Sequence, residues 1–198
     1  QQAFPHKRVF HVMLGCVRDV DLGALIDPYP GNVLPLFFAG RLPNPSGRDR
    51  ILSLIKHLPN FYHLWYAGQY DPGEELLEHP RFHSLGARDF GTFWEYHYFA
   101  FASIDFGFYS NPGGINCKIF DALRAGGRVI ADGFSSSHYL IGQHRAGGVV
   151  PFGDMETMAH VLKKWTIESP LLRMERAASF AQHESWASRV RDIYRYLD

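Results

Sequence analysis

Two short stretches of this sequence carry residues whose types and spacing suit the binding of an anion. In "FFAGRLPNPSGRDR", residues 37–50, a strand-like run ends at Gly40 and Arg41 follows directly. After a Pro/Gly turn, Arg48 and Arg50 open the next helical segment, so two guanidinium groups can converge on one anion such as a diphosphate. On spacing alone the same arginines also read as solvated side chains at a helix start. In "YSNPGGINCKIFDALRAGGRV", residues 109–129, a small-residue loop leads from a strand into an apolar helix. If "FGFYS" is the strand, the free backbone N–H groups around Gly114, Ile115 and Asn116 point out of the sheet edge, and the glycines allow a phosphate to approach closely. Lys118 then lies in the first helical turn. Asp121 lies one turn further, where a carboxylate can accept two hydrogen bonds from a ribose diol. The plain alternative is a turn followed by an amphipathic helix. A third loop, "LGARDFG" at residues 85–91, offers backbone amides and carbonyls beside the same edge, through Gly86 and Ala87.

These loops need a scaffold that brings strand ends together. The runs "RVFHVML", "LPLFFAG", "FYHLWYAG", "RFHSLG", "IDFGFYS", "GRVIAD" and "GGVVPF" are β-branched or aromatic and read as strands. Between them "GRDRILSLIKHL", "FGTFWEYHYFAF", "NCKIFDALRAG" and "METMAHVLKKW" have apolar residues at helical spacing, and the last 30 or so residues supply one or two terminal helices. Such a βαβ succession implies an α/β fold, a single Rossmann-like domain with a mostly parallel sheet and helices on both faces. In that architecture ligands bind at the carboxyl ends of the strands. "DPYPGN" is the best linker candidate and predicts a hinge near residues 27–32.

Composition narrows the function classes. The chain has 198 residues, 46% of them hydrophobic and 15% aromatic, which suits a globular fold with a sizeable core. Lys and Arg number 20 and Asp and Glu also 20, so no global basic field is available to hold nucleic acid or an anionic membrane. The two cysteines are far apart and form no CxxC pair, which argues for free thiols and against a zinc ribbon. With no apolar run of membrane-spanning length and no signal-peptide core, the chain reads as cytoplasmic. It lacks an initiator Met and enters a strand almost at once, which reads as a fragment. GxGxxG, GxxxxGK[ST], GxSxG and HExxH are absent. His57, His63, His79, His83, His97 and His138 fall singly, without ligand spacing, and are expected to be surface or structural side chains. The aromatic run from Phe93 to Tyr109 is expected to pack in the core rather than to stack bases.

Read together, the motifs resemble the C-terminal, donor-binding domain of GT-B retaining glycosyltransferases, the large "glycosyl transferases group 1" family. There, "GRL" with a nearby Lys or Arg is followed by a "vGxG" strand end, here "YAGQY", and by "flG", here "HSLG". A "PSxxEGfGlxxxEAmAxGxPVi" segment comes next, here "YSNPGGINCKIFDALRAGGRVIA". "GGVVPFGD" stands for "GxlvxxgD", and "HESWASRVRDIYRYL" for the closing "fsWxxxaxxvxxvY". The order holds from about residue 35 to the end, and "GCVRDVDLGAL" sits where such proteins have an interdomain segment.

The resemblance implies that residues 1–30 belong to an interdomain connection or the last part of an N-terminal domain, and residues 31–198 to the nucleotide-sugar-binding domain. It implies that Arg41 and Arg48 are the catalytic basic pair that neutralises the diphosphate. It implies that Gly40, Gly68, Gly86, Ala87, Gly113, Gly114, Ile115, Asn116, Lys118 and Asp121 surround the nucleotide sugar. Asp121 takes the place of the second glutamate of the E-x7-E pattern, while Gly113 replaces the first. The substrate implied is a nucleotide-sugar donor such as a UDP- or GDP-sugar, with no cofactor and no metal. The partner implied is an N-terminal acceptor-binding domain, through which alone a membrane surface would be reached; no nucleic acid is expected. A hexosyltransferase, inactive as this fragment, is therefore the leading expectation. A GT-B nucleotide-sugar epimerase and a non-catalytic nucleotide-binding module are the alternatives.

Overall fold

The structure is a computed structural model, described for residues 21–42, 46–88, 93–107, 117–133 and 137–197. Six strands form one sheet: β1 (Leu34–Ala39), β2 (Tyr62–Ala67), β3 (Phe82–Gly86), β4 (Ala102–Asp105), β5 (Val129–Asp132) and β6 (Gly147–Val150). Their order is β3-β2-β1-β4-β5-β6 and every pairing is parallel. The chain winds outward from β1 to β3, then returns to start β4 on the other side of β1. The crevice between the β1 and β4 loops is thus the switch point of the topology, where open parallel sheets bind ligands.

The four inner strands are buried on both faces, which is why they read as unbroken apolar runs rather than alternating ones. Phe37 and Phe38 are adjacent and both fully buried, on opposite faces. On Phe38's face, Leu36, Leu64 and Tyr66 pack against Ile51, Leu54 and Ile55 of α1 (Ser46–His57) and Met155, Met158 and Leu162 of α6 (Met155–Lys164). On Phe37's face, Ala39, Trp65 and Ala67 meet Phe93 and Tyr96 of α3 (Phe93–Phe99). Further along that layer Ile119, Phe120 and Leu123 of α4 (Cys117–Arg124) pack with Val129 and Ala131 of β5 and with Phe180 of α7 (Pro170–Glu184).

The second glycine pair of "RAGGRV" has a packing reason. Gly126 has φ 74°, and a Cβ there would lie 2.2 Å from the Arg173 carbonyl oxygen of α7. Only a glycine lets α7 approach the end of α4 so closely. Arg176 fixes the contact by donating to the Gly126 carbonyl at 2.9 Å and to Glu168 Oε2 at 3.0 Å, and Arg173 donates to the Tyr98 carbonyl.

The single α/β domain matches the expected fold class. The terminal stretch forms two helices, α7 and α8 (Trp186–Leu197), broken at Ser185, whose extended backbone interrupts the helical run. Two short helices, α2 (Glu74–Leu77) and α5 (Ser137–Gln143), carry too few turns for periodicity to announce them. Strand β4 begins two residues before "IDFGFYS" and ends at Asp105, because its register to Leu36 and Phe37 of β1 and to Val129 of β5 fixes where the ladder runs. The expected strand "RVFHVML" lies outside the described residues. Within the stretch read as a hinge, Tyr29 is anchored: its hydroxyl donates to the Tyr96 carbonyl at 2.8 Å and its ring meets Trp65 edge-on. Among the described residues no helix is long and apolar enough to cross a membrane.

Candidate functional site

Three expected glycines stand in one row at the carboxyl ends of β1, β2 and β3. Ladder bonding continues past the strands: Gly40 N–H donates to the Ala67 carbonyl at 2.8 Å, and Gly68 N–H to the Gly86 carbonyl at 3.0 Å. Gly40 (φ 125°) and Gly86 (φ 67°) hold backbone conformations that side chains disfavour. Gly68 is constrained by space instead, since a Cβ would lie 2.2 Å from the Tyr66 hydroxyl and 2.4 Å from the Gly40 carbonyl oxygen.

Gly40 and Gly68 of this row line a cleft of about 490 Å³. Of the expected residues, Gly40, Arg41, Gly68, Ala87, Lys118 and Asp121 line it. Residues from four separate segments of sequence are thereby brought to one place. Gly86 adjoins Ala87 at the end of β3. Arg48 is not among the lining residues; its guanidinium lies against Gly73 in the β2–α2 loop, and its Nε is 3.6 Å from Asp49. Gly113, Gly114, Ile115 and Asn116 fall outside the described residues.

The cleft's charges are set by burial. Lys118 Nζ crosses the switch point: it lies 3.8 Å from Asp105 Oδ1, 4.3 Å from the Phe38 ring centre, and 3.2 Å from where a Gly40 side chain would begin. Burial pulls the Lys118 ammonium below the usual lysine range, and the Asp105 carboxylate opposes that pull. Asp121, one turn along the same helix face, has its carboxyl pushed up to about 6 by burial. Arg41 is exposed at the mouth, with its guanidinium 5.1 Å from the Tyr70 ring centre.

Sequence reasoning missed several lining residues. Tyr70 and Arg88 border the cleft at the ends of segments already singled out, "YAGQY" and "LGAR". Phe93 and His97 line it from α3, four residues apart and so on one helix face. The aromatic run thus divides: Trp94 and Tyr98 are core, as expected, while Phe93 and His97 turn toward the cleft. His97 places Nδ1 2.8 Å from Ser103 Oγ, and burial, reinforced by Lys118, lowers its pKa to about 3, so it is neutral at physiological pH.

At the carboxyl ends of β4 and β5 lies a buried ion pair that spacing did not reveal. Asp132 is fully buried and accepts from Arg50 Nη1 at 2.7 Å, from Gly107 N–H, and from Gly153 N–H at 3.3 Å. Arg50 also donates to the Gly107 carbonyl at 3.1 Å, its guanidinium lying between the rings of Phe106 and Phe152. Gly107 is the last described residue before the Gly-rich loop, so Arg50, which looked like a partner for Arg48, instead clamps the root of that loop.

A six-stranded parallel sheet flanked by helices, with a cleft at its switch point, is the architecture of one half of a GT-B fold. No protein-family model matches the chain, and no curated protein matches it in sequence. Among solved structures it is similar to WaaG, a glycosyltransferase involved in lipopolysaccharide biosynthesis, with TM-score 0.65 and 20% identity over 87% of this chain and 51% of that one. It is similar to sucrose-phosphate synthase from Thermosynechococcus elongatus, with TM-score 0.70 and 17% identity over 94% of this chain and 52% of that one. It is also similar to Anabaena Alr3699/HepE in complex with UDP and glucose, with TM-score 0.65 and 13% identity over 84% and 48%. At these identities the likeness is one of fold. The chain spans about half the length of the structures it matches.

Proposed function

We propose that this chain is the donor-binding half of a GT-B glycosyltransferase, holding a nucleoside-diphosphate sugar for transfer to an acceptor presented by a second domain. The observation that carries the reading is the cleft itself: at the switch point, three cationic side chains, Arg41, Arg88 and Lys118, and one carboxylate, Asp121, line the same space. Neighbours crystallised with UDP and with UDP-glucose support the same class of ligand.

In this reading the diphosphate lies over the Gly40 end of the row, where the backbone is bare and Arg41 and Lys118 are at hand. Arg41 and Lys118 neutralise the leaving diphosphate as the glycosidic bond to it breaks, which stabilises the charge that develops in the transition state. Arg48 is outside the cleft lining, so this role rests on Arg41 and Lys118. Asp121 accepts from the ribose hydroxyls, and the loop at Gly86 and Ala87 faces the base. The sugar is transferred with retention, and residues 31–198 are the domain that binds the donor. Because the acceptor hydroxyl comes from elsewhere, this chain alone holds the donor without transferring the sugar.

A thermal-shift series with UDP, GDP, ADP and their sugars tests the proposal. A ligand at 100 times its dissociation constant adds about 2.7 kcal/mol of apparent stability, so the right nucleotide produces a plain upward shift. Absence of any shift sinks the reading, and sugar turnover by this chain alone sinks the part concerning the second domain. Gly113, where the resemblance expects a carboxylate beside the sugar, favours a second reading in which nucleotide binding persists without transfer. A longer protein that binds the diphosphate and its sugar with equal affinity, and transfers nothing, would favour that one.

A further inference from the structure

Tyr66 is fully buried in β2, its ring stacked between those of Phe38 and Phe82. Its hydroxyl reaches the carboxyl end of the sheet and lies 3.2 Å from the Gly40 carbonyl oxygen and 3.3 Å from the Tyr70 carbonyl oxygen. Those carbonyls belong to two loops, β1–α1 and β2–α2, that border the cleft. One phenolic hydrogen serves both, so neither loop can shift without losing it. The side chain of Tyr70 then lies beside the Arg41 guanidinium, within the distance at which a cation is attracted to a ring face. Arg41 is exposed, and a free arginine loses rotamer freedom when it grips an anion. Stacking removes part of that cost in advance and leaves the N–H donors at the edge of the plane for the ligand.

Resting on the nucleotide-binding reading above, we propose that Tyr70 and Tyr66 are positioning residues that preset the Arg41 guanidinium as the anion receptor of the cleft. They therefore govern affinity for a ligand's phosphate groups and not for its nucleoside. The competing use of an exposed tyrosine, stacking on a base, predicts the reverse.

Isothermal titration of the chain with UDP, uridine and inorganic pyrophosphate separates the two. Tyr70→Ala is expected to weaken UDP and pyrophosphate about two- to fivefold, the range of an exposed cation–π contact, and to leave uridine unchanged. Tyr70→Phe keeps the ring and is expected to match wild type. Tyr66→Phe keeps the core packing but frees the loops, and weakens the two phosphate ligands in the same direction. In an Arg41→Ala background, Tyr70→Ala has nothing further to remove, so the double variant equals the single one.

Equal loss for uridine and UDP, full retention of pyrophosphate affinity in Tyr70→Ala, or additive effects in the double variant would overturn the proposal. A wild-type chain that binds pyrophosphate but neither UDP nor uridine refutes the nucleotide reading, while the pyrophosphate arm still decides the role of Tyr70. Binding of none of the three refutes both.

Discussion

The two halves of the sheet's carboxyl edge are built on opposite principles. At the ends of β1, β2 and β3 stands a row of glycines, with backbone lying on backbone and open space above. At the ends of β4 and β5 the space is filled with buried charge, Asp105, Asp132, Arg50 and Lys118, each held by a partner of the opposite sign. The first half leaves room for a ligand; the second fixes the loop root at Gly107. Lys118 is where they meet, paired with Asp105 on one side and adjoining Gly40 on the other.

The contrast predicts different failures. Asp132→Ala strikes the charged half, where Asp132 accepts three hydrogen bonds and faces a buried guanidinium. Removing one partner of a buried pair typically costs about 3–5 kcal/mol. The urea midpoint should fall sharply; a loss near that of an ordinary surface substitution would mean that the pair holds nothing in place. Arg41→Ala strikes the open half and should do the reverse. Stability stays within about 0.5 kcal/mol, as for most surface changes, while nucleoside-diphosphate affinity drops tenfold or more because a charge-assisted contact is worth about 1.5–3 kcal/mol. If nucleoside and diphosphate lose equally, Arg41 does not meet the phosphates.

Gly68→Ala is intermediate, since it strikes the open half through its backbone. The added carbon meets the Tyr66 hydroxyl and the Gly40 carbonyl, so the β1 and β2 loops must part, at a cost of about 1–3 kcal/mol for overpacking. Both stability and diphosphate affinity should fall. A variant as stable as wild type would show that the loops give way freely.

The same contrast explains what the sequence disclosed. The open half was legible because its chemistry is local: Gly40–Arg41, Gly68 and Gly86–Ala87 are each short turns after an apolar run, and strand-to-helix order alone sends them to one edge. The charged half was not. Arg50 and Asp132 are 82 positions apart, and nothing in either neighbourhood says that they meet. Arg48 and Arg50 look interchangeable at a helix start, yet one lies against the Gly73 turn and the other is buried. Which side of α1 each occupies depends on how that helix rolls onto Phe38 and Phe106, a tertiary fact. His97 was hidden for the opposite reason: it sits inside an aromatic run in which Trp94, Tyr98 and Phe101 are core.

The smallest effect expected is also the most particular to the site. Asp121 is a carboxyl whose burial raises its pKa from 3.8 to about 6. Between these values the folded chain binds more protons than the unfolded one. Asp121 therefore favours folding at low pH, and this contribution is lost as pH rises through about 6. Asp121→Asn removes the penalty of a buried charge, so above pH 7 the ligand-free variant should be slightly more stable than wild type. Ligand binding runs the other way. If the carboxylate accepts from a ribose diol, the preference for uridine over 2′-deoxyuridine should be largest above pH 7 and shrink as pH falls through about 6, where the acceptor takes up a proton. Uridine is the useful probe because it carries no phosphate of its own to titrate in that range. In Asp121→Asn the ratio should be lower and flat with pH. A wild-type ratio that ignores pH between 5 and 8, or an Asn variant that keeps the full preference, would remove Asp121 from the ribose and leave it as a buried acid at the side of the cleft.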